Sequence, residues 1–294
     1  MPLRIAFSTV ACPDWTLARV ARAAAEWGYQ GVELRSMGDG HPQAFASEPA
    51  HSDPAKVSEA LVEAGVDLVS IATGVRLDSP IFPPVLGWAF ASREASVRAA
   101  KRAVDLAAAC GAGAIRVFPF QIPKGPAPGA PGDTRFSVLR RICDRLGKVC
   151  DHARNRDVTV LIENAGDFAS AHDLDEIMRR VSSPQLAASY DIGAGAAAGD
   201  KATEAVSLLG ERLWLARLRD ESSGGGAPCQ LGRGNLHVKE FVQALRRGGS
   251  NAWVVFNWDK AWRSELAGPE SVLPEAARLL TEWCAGAPAH AAAA

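Results

Sequence analysis

The sequence predicts a single β/α barrel of eight parallel strands, each followed by a helix. Three observations lead there. Short apolar runs alternate with longer helical stretches along all 294 residues, glycines recur where helices should stop, and polar residues collect where the apolar runs end. Eight such units in a chain of this length match a closed parallel barrel, whose chemistry sits at the C-terminal ends of its strands. An open doubly wound sheet would show the same alternation, but no G-x-G-x-x-G follows the first apolar run.

The elements follow in order. RIAFST (Arg4 to Thr9) is the first strand, and LARVARAAAEWG is a helix stopped by Gly28. GVELR is the second strand, with helix AKVSEALVEAG stopped by Gly65; VDLVSIA is the third, with the Ala-rich helix ASREASVRAAKRAVDLAAACG stopped by Gly111. AIRVFPF is the fourth strand, and a Pro/Gly loop leads into helix FSVLRRICDRLGKVCDHARN. VTVLIEN and AHDLDEIMRRV form the fifth unit, and LAASYD and TEAVSLLG the sixth. LWLARLRD is the seventh strand, followed by the Gly-rich loop ESSGGGAPCQLGRG and helix HVKEFVQALRRG, stopped by Gly248. AWVVFNW and PESVLPEAARLLTEWCA close the barrel. Strands should end near Thr9, Arg35, Ala72, Phe118, Glu163, Asp191, Arg219 and Asn257. One domain thus spans residues 1–285, and the Ala-rich tail 286–294 is expected to be disordered.

Composition narrows the partners. Lys+Arg 32 against Asp+Glu 33 gives a formal net charge of -1, so nothing draws the chain to nucleic acid or to an acidic membrane surface. No apolar run approaches the roughly 20 residues that span a bilayer. MPLRIAFSTV lacks a basic stretch followed by an apolar one and reads as a strand, so a cytoplasmic location is expected. None of the six cysteines forms a C-x-x-C pair, which points to buried packing in a reducing compartment rather than a zinc or dithiol site.

The strand ends carry the candidate site. Glu33 and Arg35 end the second strand, Glu163 and Asn164 the fifth, and Asp191 the sixth. Arg217, Arg219 and Asp220 end the seventh, and Asn257, Trp258, Asp259 and Lys260 the eighth. Glu163 and Asp191 close runs that are otherwise largely apolar, and a carboxylate there is costly unless paired or bound to a ligand. Glu33 either orients a substrate hydroxyl or pairs with Arg35. Trp258 and Phe118 could wall a sugar pocket, because aromatic faces stack on sugar C–H surfaces. His41 and His51 fall in a long loop after the second strand, where exposure is the simpler reading. Arg76, Arg93 and Lys124 are loop cations that could meet a phosphate or carboxylate.

These segments resemble a known family. GYQGVELR, GAIRVFPF, LIENAGDFASAHDL and SYDIGA are similar, in order and spacing, to the second, fourth, fifth and sixth strands of xylose isomerase-like barrels, the sugar phosphate isomerases and epimerases. LARLRDE stands where that family carries H-x-K-D, and LGRGNLHVKEFVQALRRGG resembles its GxG-then-helix element. WVVFNWDKAWRSEL resembles a subfamily segment, E-W-E-K-x-W-H-P-E. The resemblance implies a divalent cation held by Glu, Asp, His and Glu on strands five to eight, with the two glutamates moving a proton between neighbouring carbons. By position these fall on Glu163, Asp191, Arg217 and Asn257. An arginine does not ligate metals, and an asparagine cannot act as a base. The second family histidine falls near Ala194, Arg233 replaces a common acid, and Arg263 replaces a histidine.

The reading that follows is an enzyme acting on a small polyol, sugar acid or cyclitol, by isomerisation, epimerisation or a related elimination, without a metal cofactor. Glu163, Asp191 and Arg217 are its expected catalytic residues, and Glu33, Asn257, Trp258 and Phe118 its substrate-binding residues. Were Mn or Mg held here, Glu163, Asp191 and Asn257 would be its ligands. The alternative is a barrel without catalysis that binds a polyol or a protein partner. A repair endonuclease on this fold would need a histidine-rich zinc cluster and a basic groove, which this sequence does not carry. Charge suggests a role for Arg217. Three family carboxylates and a divalent ion sum to -1, and so do Glu163, Asp191 and Arg217. A guanidinium fork can engage two carboxylates, so Arg217 is expected within hydrogen-bond reach of Glu163 or Asp191. The main cleft is expected at the strand-end face.

Overall fold

The computed structural model describes residues 3–35, 53–78, 94–124, 132–223 and 226–285. Strands β1 (Arg4–Ser8), β2 (Gly31–Arg35), β3 (Asp67–Arg76), β4 (Ala114–Phe118), β5 (Thr159–Glu163), β6 (Leu186–Asp191), β7 (Leu213–Leu218) and β10 (Trp253–Phe256) close into a parallel barrel. Its order runs β1, β10, β7, β6, β5, β4, β3, β2 and back to β1. Between β7 and β10, β8 (Asp220–Glu221) and β9 (Pro228–Cys229) pair as a small antiparallel ribbon. The helices are α1 (Leu17–Trp27), α2 (Pro54–Glu63), α3 (Ala95–Cys110), α4 (Arg135–Ala153), α5 (Ala171–Val181), α6 (Ile192–Ala197), α7 (Ala202–Leu209), α8 (Val238–Arg247) and α9 (Pro269–Ala285).

The predicted strand ends fall within one residue of those observed, except on β3, which runs on to Arg76. The ribbon β8–β9 and the short helix α6 fall where only loop was expected. Gly28 and Gly111 stop their helices in the left-handed conformation, at φ 80° and 73°. Gly248 does not. It stays right-handed at φ -74°, and Gly249 takes the positive φ of 66° one residue later. The tail 286–294, His41, His51 and Arg93 lie outside the described residues.

Two apolar layers hold the barrel. The helices pack their apolar stripes onto the outward residues of the strands, as with Val32, Ile115, Val160 and Val254. Inside, Ala6, Val69, Ala114, Leu161, Leu215, Trp253 and Val255 fill the lower half. The Arg4 guanidinium lies 4.0 Å from the Trp253 ring and covers that end. Above this plug the inward positions turn polar, and the site begins there. Among the described residues, no helix is long and apolar enough to cross a membrane.

The loop after β7 is tied down by one side chain. Asp220 Oδ2 accepts from the backbone N–H of Gly232 and Gly234, both at 2.9 Å, and its Oδ1 accepts from Glu221 at 3.0 Å and Leu236 at 3.2 Å. Asp220→Ala would leave those four donors without their acceptor. We expect a loss of roughly 2–3 kcal/mol in urea unfolding, with the barrel itself intact by far-UV circular dichroism.

Candidate active site

β-Strand alternation sends every second side chain into the barrel, and register decides which of them meet. Glu163 stands beside Ser189 across β5 and β6, Asp191 beside Arg217 across β6 and β7, and Arg217 beside Val255 across β7 and β10. At this level a ring of charged and hydroxyl groups replaces the apolar plug.

Arg217 is at its centre and is 2% exposed. Its Nη2 donates to both carboxylate oxygens of Glu33, at 2.8 and 2.7 Å. Its Nε donates to Glu163 Oε2 at 2.8 Å, and its Nη1 to Asn257 Oδ1 at 3.0 Å. All three guanidinium nitrogens are thereby engaged. Glu163 is shared: Arg116 Nη1 approaches its two oxygens at 3.2 and 3.3 Å, and Ser189 Oγ donates to Oε2 at 2.8 Å. Ser70 Oγ donates to Glu33 Oε2 at 3.0 Å.

Burial alone would raise the pKa of Glu33, but the Arg217 and Arg116 guanidiniums outweigh it and hold the carboxyl at about 2. Burial works the same way on Glu163, and Arg116 and Arg217 again prevail, holding it below the usual carboxylate range. Burial opposes the charge on Arg217, while Glu163 and Glu33 raise its pKa further, so the guanidinium stays protonated.

Asp191 belongs to a second group. Its backbone N–H donates to Asn164 Oδ1 at 2.6 Å, and its Oδ1 accepts from Ala194 N at 2.8 Å, capping α6. Arg219 Nη2 lies 3.3 Å from the same Oδ1, and among the described residues no hydrogen bond reaches Oδ2. Burial pushes its pKa up, Arg219 opposes that and nearby Glu163 adds to it, and the sum is a raised value. Arg219 also meets Glu221 at 3.3 Å and Asp259 at 4.0 Å.

The structure therefore joins Glu33, Glu163, Arg217 and Asn257 in one network and sets Asp191 apart with Arg219. Arg217 reaches Glu163 as expected; its second carboxylate is Glu33 rather than Asp191, because Glu33 comes across the barrel axis from β2 while Asp191 is turned to cap α6. Glu33 pairs with Arg217 rather than Arg35, whose Nη1 donates to Ala72 O at 2.8 Å. The charge sum counted the wrong residues: Glu33, Glu163, Arg116 and Arg217 form the network and balance at zero, with Asp191 outside it. Trp258 is 4% exposed, stacks on Phe256, and donates its indole N–H to Ala267 O at 3.0 Å, so it packs into the wall. Phe118 is half-buried, with the Arg116 guanidinium 4.7 Å from its ring. Arg76 is held by Asp78 at 2.9 Å, and Lys124 is exposed.

Arg116, Ser70 and Ser189 escaped the sequence reading. Arg116 carried the same signal as Glu163, a charge within the apolar run AIRVF. The serines carried none.

The residues present do not fit a divalent ion. The guanidinium of Arg217 occupies the space among Glu33, Glu163 and Asn257, and the Asn257 carbonyl is turned to it. Among the described residues, no three His, Cys, Asp or Glu side chains come close enough together to hold a metal. The described residues also line an open groove of about 940 Å³, but it is formed by Arg4, Trp214, Arg247 and Asn251 at the opposite end of the barrel. The segments that follow β2 and β3 in sequence, 36–52 and 79–93, lie outside the described residues.

Comparison with known proteins agrees with this architecture. A family model described as a xylose isomerase-like TIM barrel matches residues 21–283. No curated protein matches the sequence. Among solved structures, an L-ribulose 3-epimerase superposes with a TM-score of 0.73 at 17% identity, covering 96% of this chain and 95% of that one. The 3-keto-D-glucoside 4-epimerase of E. coli gives 0.73 at 15%, covering 95% and 99%. A probable 3-DHS dehydratase of Bacillus anthracis gives 0.71 at 15%, covering 95% and 99%. At these identities the likeness is one of fold.

Proposed function

Because the chain belongs to the xylose isomerase-like TIM barrel family, we propose that it acts on a small polyol, sugar acid or cyclitol at the strand-end face, moving a proton without a metal ion. The carrying observation is the division of the three buried carboxylates. Glu33 and Glu163 are fixed between guanidiniums and hold their protons poorly. Asp191 has a raised pKa and a carboxylate oxygen that accepts no hydrogen bond from the described residues. A carboxylate of that kind suits a general base.

In this reading Asp191 Oδ2 takes a proton from the carbon beside a substrate carbonyl, and the Arg219 guanidinium holds the oxygen on which charge collects. Delivery of a proton from solvent to the opposite face of the same carbon gives epimerisation; return by Asp191 to the neighbouring carbon, with the hydroxyl proton passing to the former carbonyl oxygen, gives isomerisation. All three nitrogens of Arg217 are engaged by Glu33, Glu163 and Asn257, so it is a positioning residue rather than the catalytic residue expected from sequence. It fixes Glu33, Glu163 and Asn257 below the reacting atoms. Several solved structures of this fold are named as sugar epimerases, which supports the substrate class.

The second reading, a binding barrel without catalysis, is favoured by one observation: Glu163, at a proton-moving position of the family, is locked between two arginines. Deuterium exchange separates the two. Ketoses, aldonic acids and inosose-type cyclitols incubated in D2O with protein and EDTA should gain deuterium beside the carbonyl, read by NMR. Asp191→Asn should slow this by roughly 100-fold or more. Absence of exchange across the panel, with binding retained, would establish the second reading instead.

A further inference from the structure

We propose that Arg35 and Arg116 form an oxyanion subsite on the β2–β4 side of the mouth, so that the substrate carries a carboxylate or a phosphate. The inference rests on reading this face as a polyol site and adds the chemical class of what enters it.

Three observations converge on those two arginines. First, Arg35 is half-buried at the end of β2, and among the described residues no carboxylate pairs with it. Its Nη1 is spent on Ala72 O at 2.8 Å, and Gly74 leaves room beside Nη2, where an added Cβ would stand 3.4 Å away. Second, Arg116 is 6% exposed, and its buried Nε has no hydrogen-bond partner, which is costly for a guanidinium. Its other nitrogens reach Glu163 and, at 3.5 Å, Thr73 O. Third, the two cations disfavour each other. Burial and then the charge of Arg116 lower the pKa of Arg35 to about 10. Two arginines at one register level on either side of β3, with a buried donor unused among the described residues, are relieved by an anion between them.

The charges are also divided across the mouth. Arg35, Arg116 and Arg217 face Glu33 and Glu163 on one side, an excess of one positive charge. On the other, Arg219 faces Asp191, Glu221 and Asp259, an excess of two negative charges. An anionic head group would settle on the first side and extend its carbon chain toward Asp191. Phe118, against the Arg116 guanidinium, walls the path between them.

Calorimetric titration with D-gluconate, D-fructose 6-phosphate, D-fructose and inorganic phosphate tests this. The two sugar anions should bind more tightly than fructose, with affinity falling as salt rises. Arg35→Met should weaken the sugar anions roughly 10- to 100-fold, the loss of one charge-assisted contact, and leave fructose unchanged. Among the described residues the half-buried Arg35 guanidinium bonds one backbone carbonyl and lies 5.8 Å from the exposed Trp262 ring, so this variant should fold; its circular dichroism and melting curve verify that. A gluconate preference would indicate a sugar acid, and a fructose 6-phosphate preference a sugar phosphate. Equal binding of fructose and the sugar anions, or no effect of Arg35→Met, overturns the subsite and leaves the polyol reading standing. Inorganic phosphate binding that depends on Arg35, with no sugar bound, keeps the subsite and removes the polyol reading. Binding of no probe at all removes both.

Discussion

Replacing Arg217 with methionine is expected to lower the melting temperature by roughly 5–10 °C, the consequence of about 3–5 kcal/mol lost when one partner of a buried ion network is removed. Methionine has similar volume, so the effect is electrostatic. Glu33, fully buried, would lose both of its closest donors on that guanidinium and keep only Ser70 Oγ. The pH dependence gives the expectation its sign. In the native protein the Glu33 pKa is depressed, from 4.5 to about 2. Its contribution, on the order of 3 kcal/mol, is complete above pH 4.5 and lost as pH falls toward 2. In Arg217→Met, burial without a close counter-charge raises the Glu33 pKa instead. That variant should be more stable at pH 5 than at pH 8, whereas in the parent Glu33 contributes equally at both. Adding Glu33→Gln should recover most of the melting temperature, because Glu163 and Arg116 then remain as a balanced pair. If Arg217→Met melts like the parent at both pH values, the network does not hold the barrel as described.

The second large effect is a gain. Arg217→His with Asn257→Glu would restore the Glu, Asp, His, Glu set that the family resemblance implies. The guanidinium that fills the space would be gone, and Glu163 would be released toward a cation. Glu33 would then lack its partner, so Glu33→Gln belongs in the same protein to preserve folding. Manganese titration should change from no measurable heat in the parent to a one-to-one isotherm in this triple variant. A triple variant that folds and still ignores manganese would show that Arg217 is not what separates this site from a metal centre.

Much of this was legible in the sequence. Strand ends could be read because a buried strand is an apolar run, and a charge that stops it marks the rim, as at Glu163 and Asp191. The arrival of Arg217 at Glu163 followed from charge balance alone. Its second partner did not, because Glu33 sits 184 positions away and only barrel closure makes them neighbours. Arg116 was overlooked although AIRVF breaks its apolar run as VTVLIEN does. The difference was that Glu163 matched a known motif and Arg116 did not. The fate of Trp258 was also hidden. Whether an aromatic at a strand end faces the mouth or the wall depends on the loop that offers its indole N–H an acceptor, here Ala267. Ribbon β8–β9 and helix α6 arise from Asp220 and Asp191 capping backbone N–H groups, a signal too common in sequences to single out.

The central claim is that a guanidinium holds the place of a metal ion among these carboxylates. Elemental analysis of protein purified without chelator, by inductively coupled plasma mass spectrometry, tests it most directly. The account predicts manganese, magnesium, zinc and iron all far below one atom per chain, with deuterium exchange and melting temperature unchanged by EDTA. Close to one bound metal per chain, released by EDTA with loss of exchange, would contradict it.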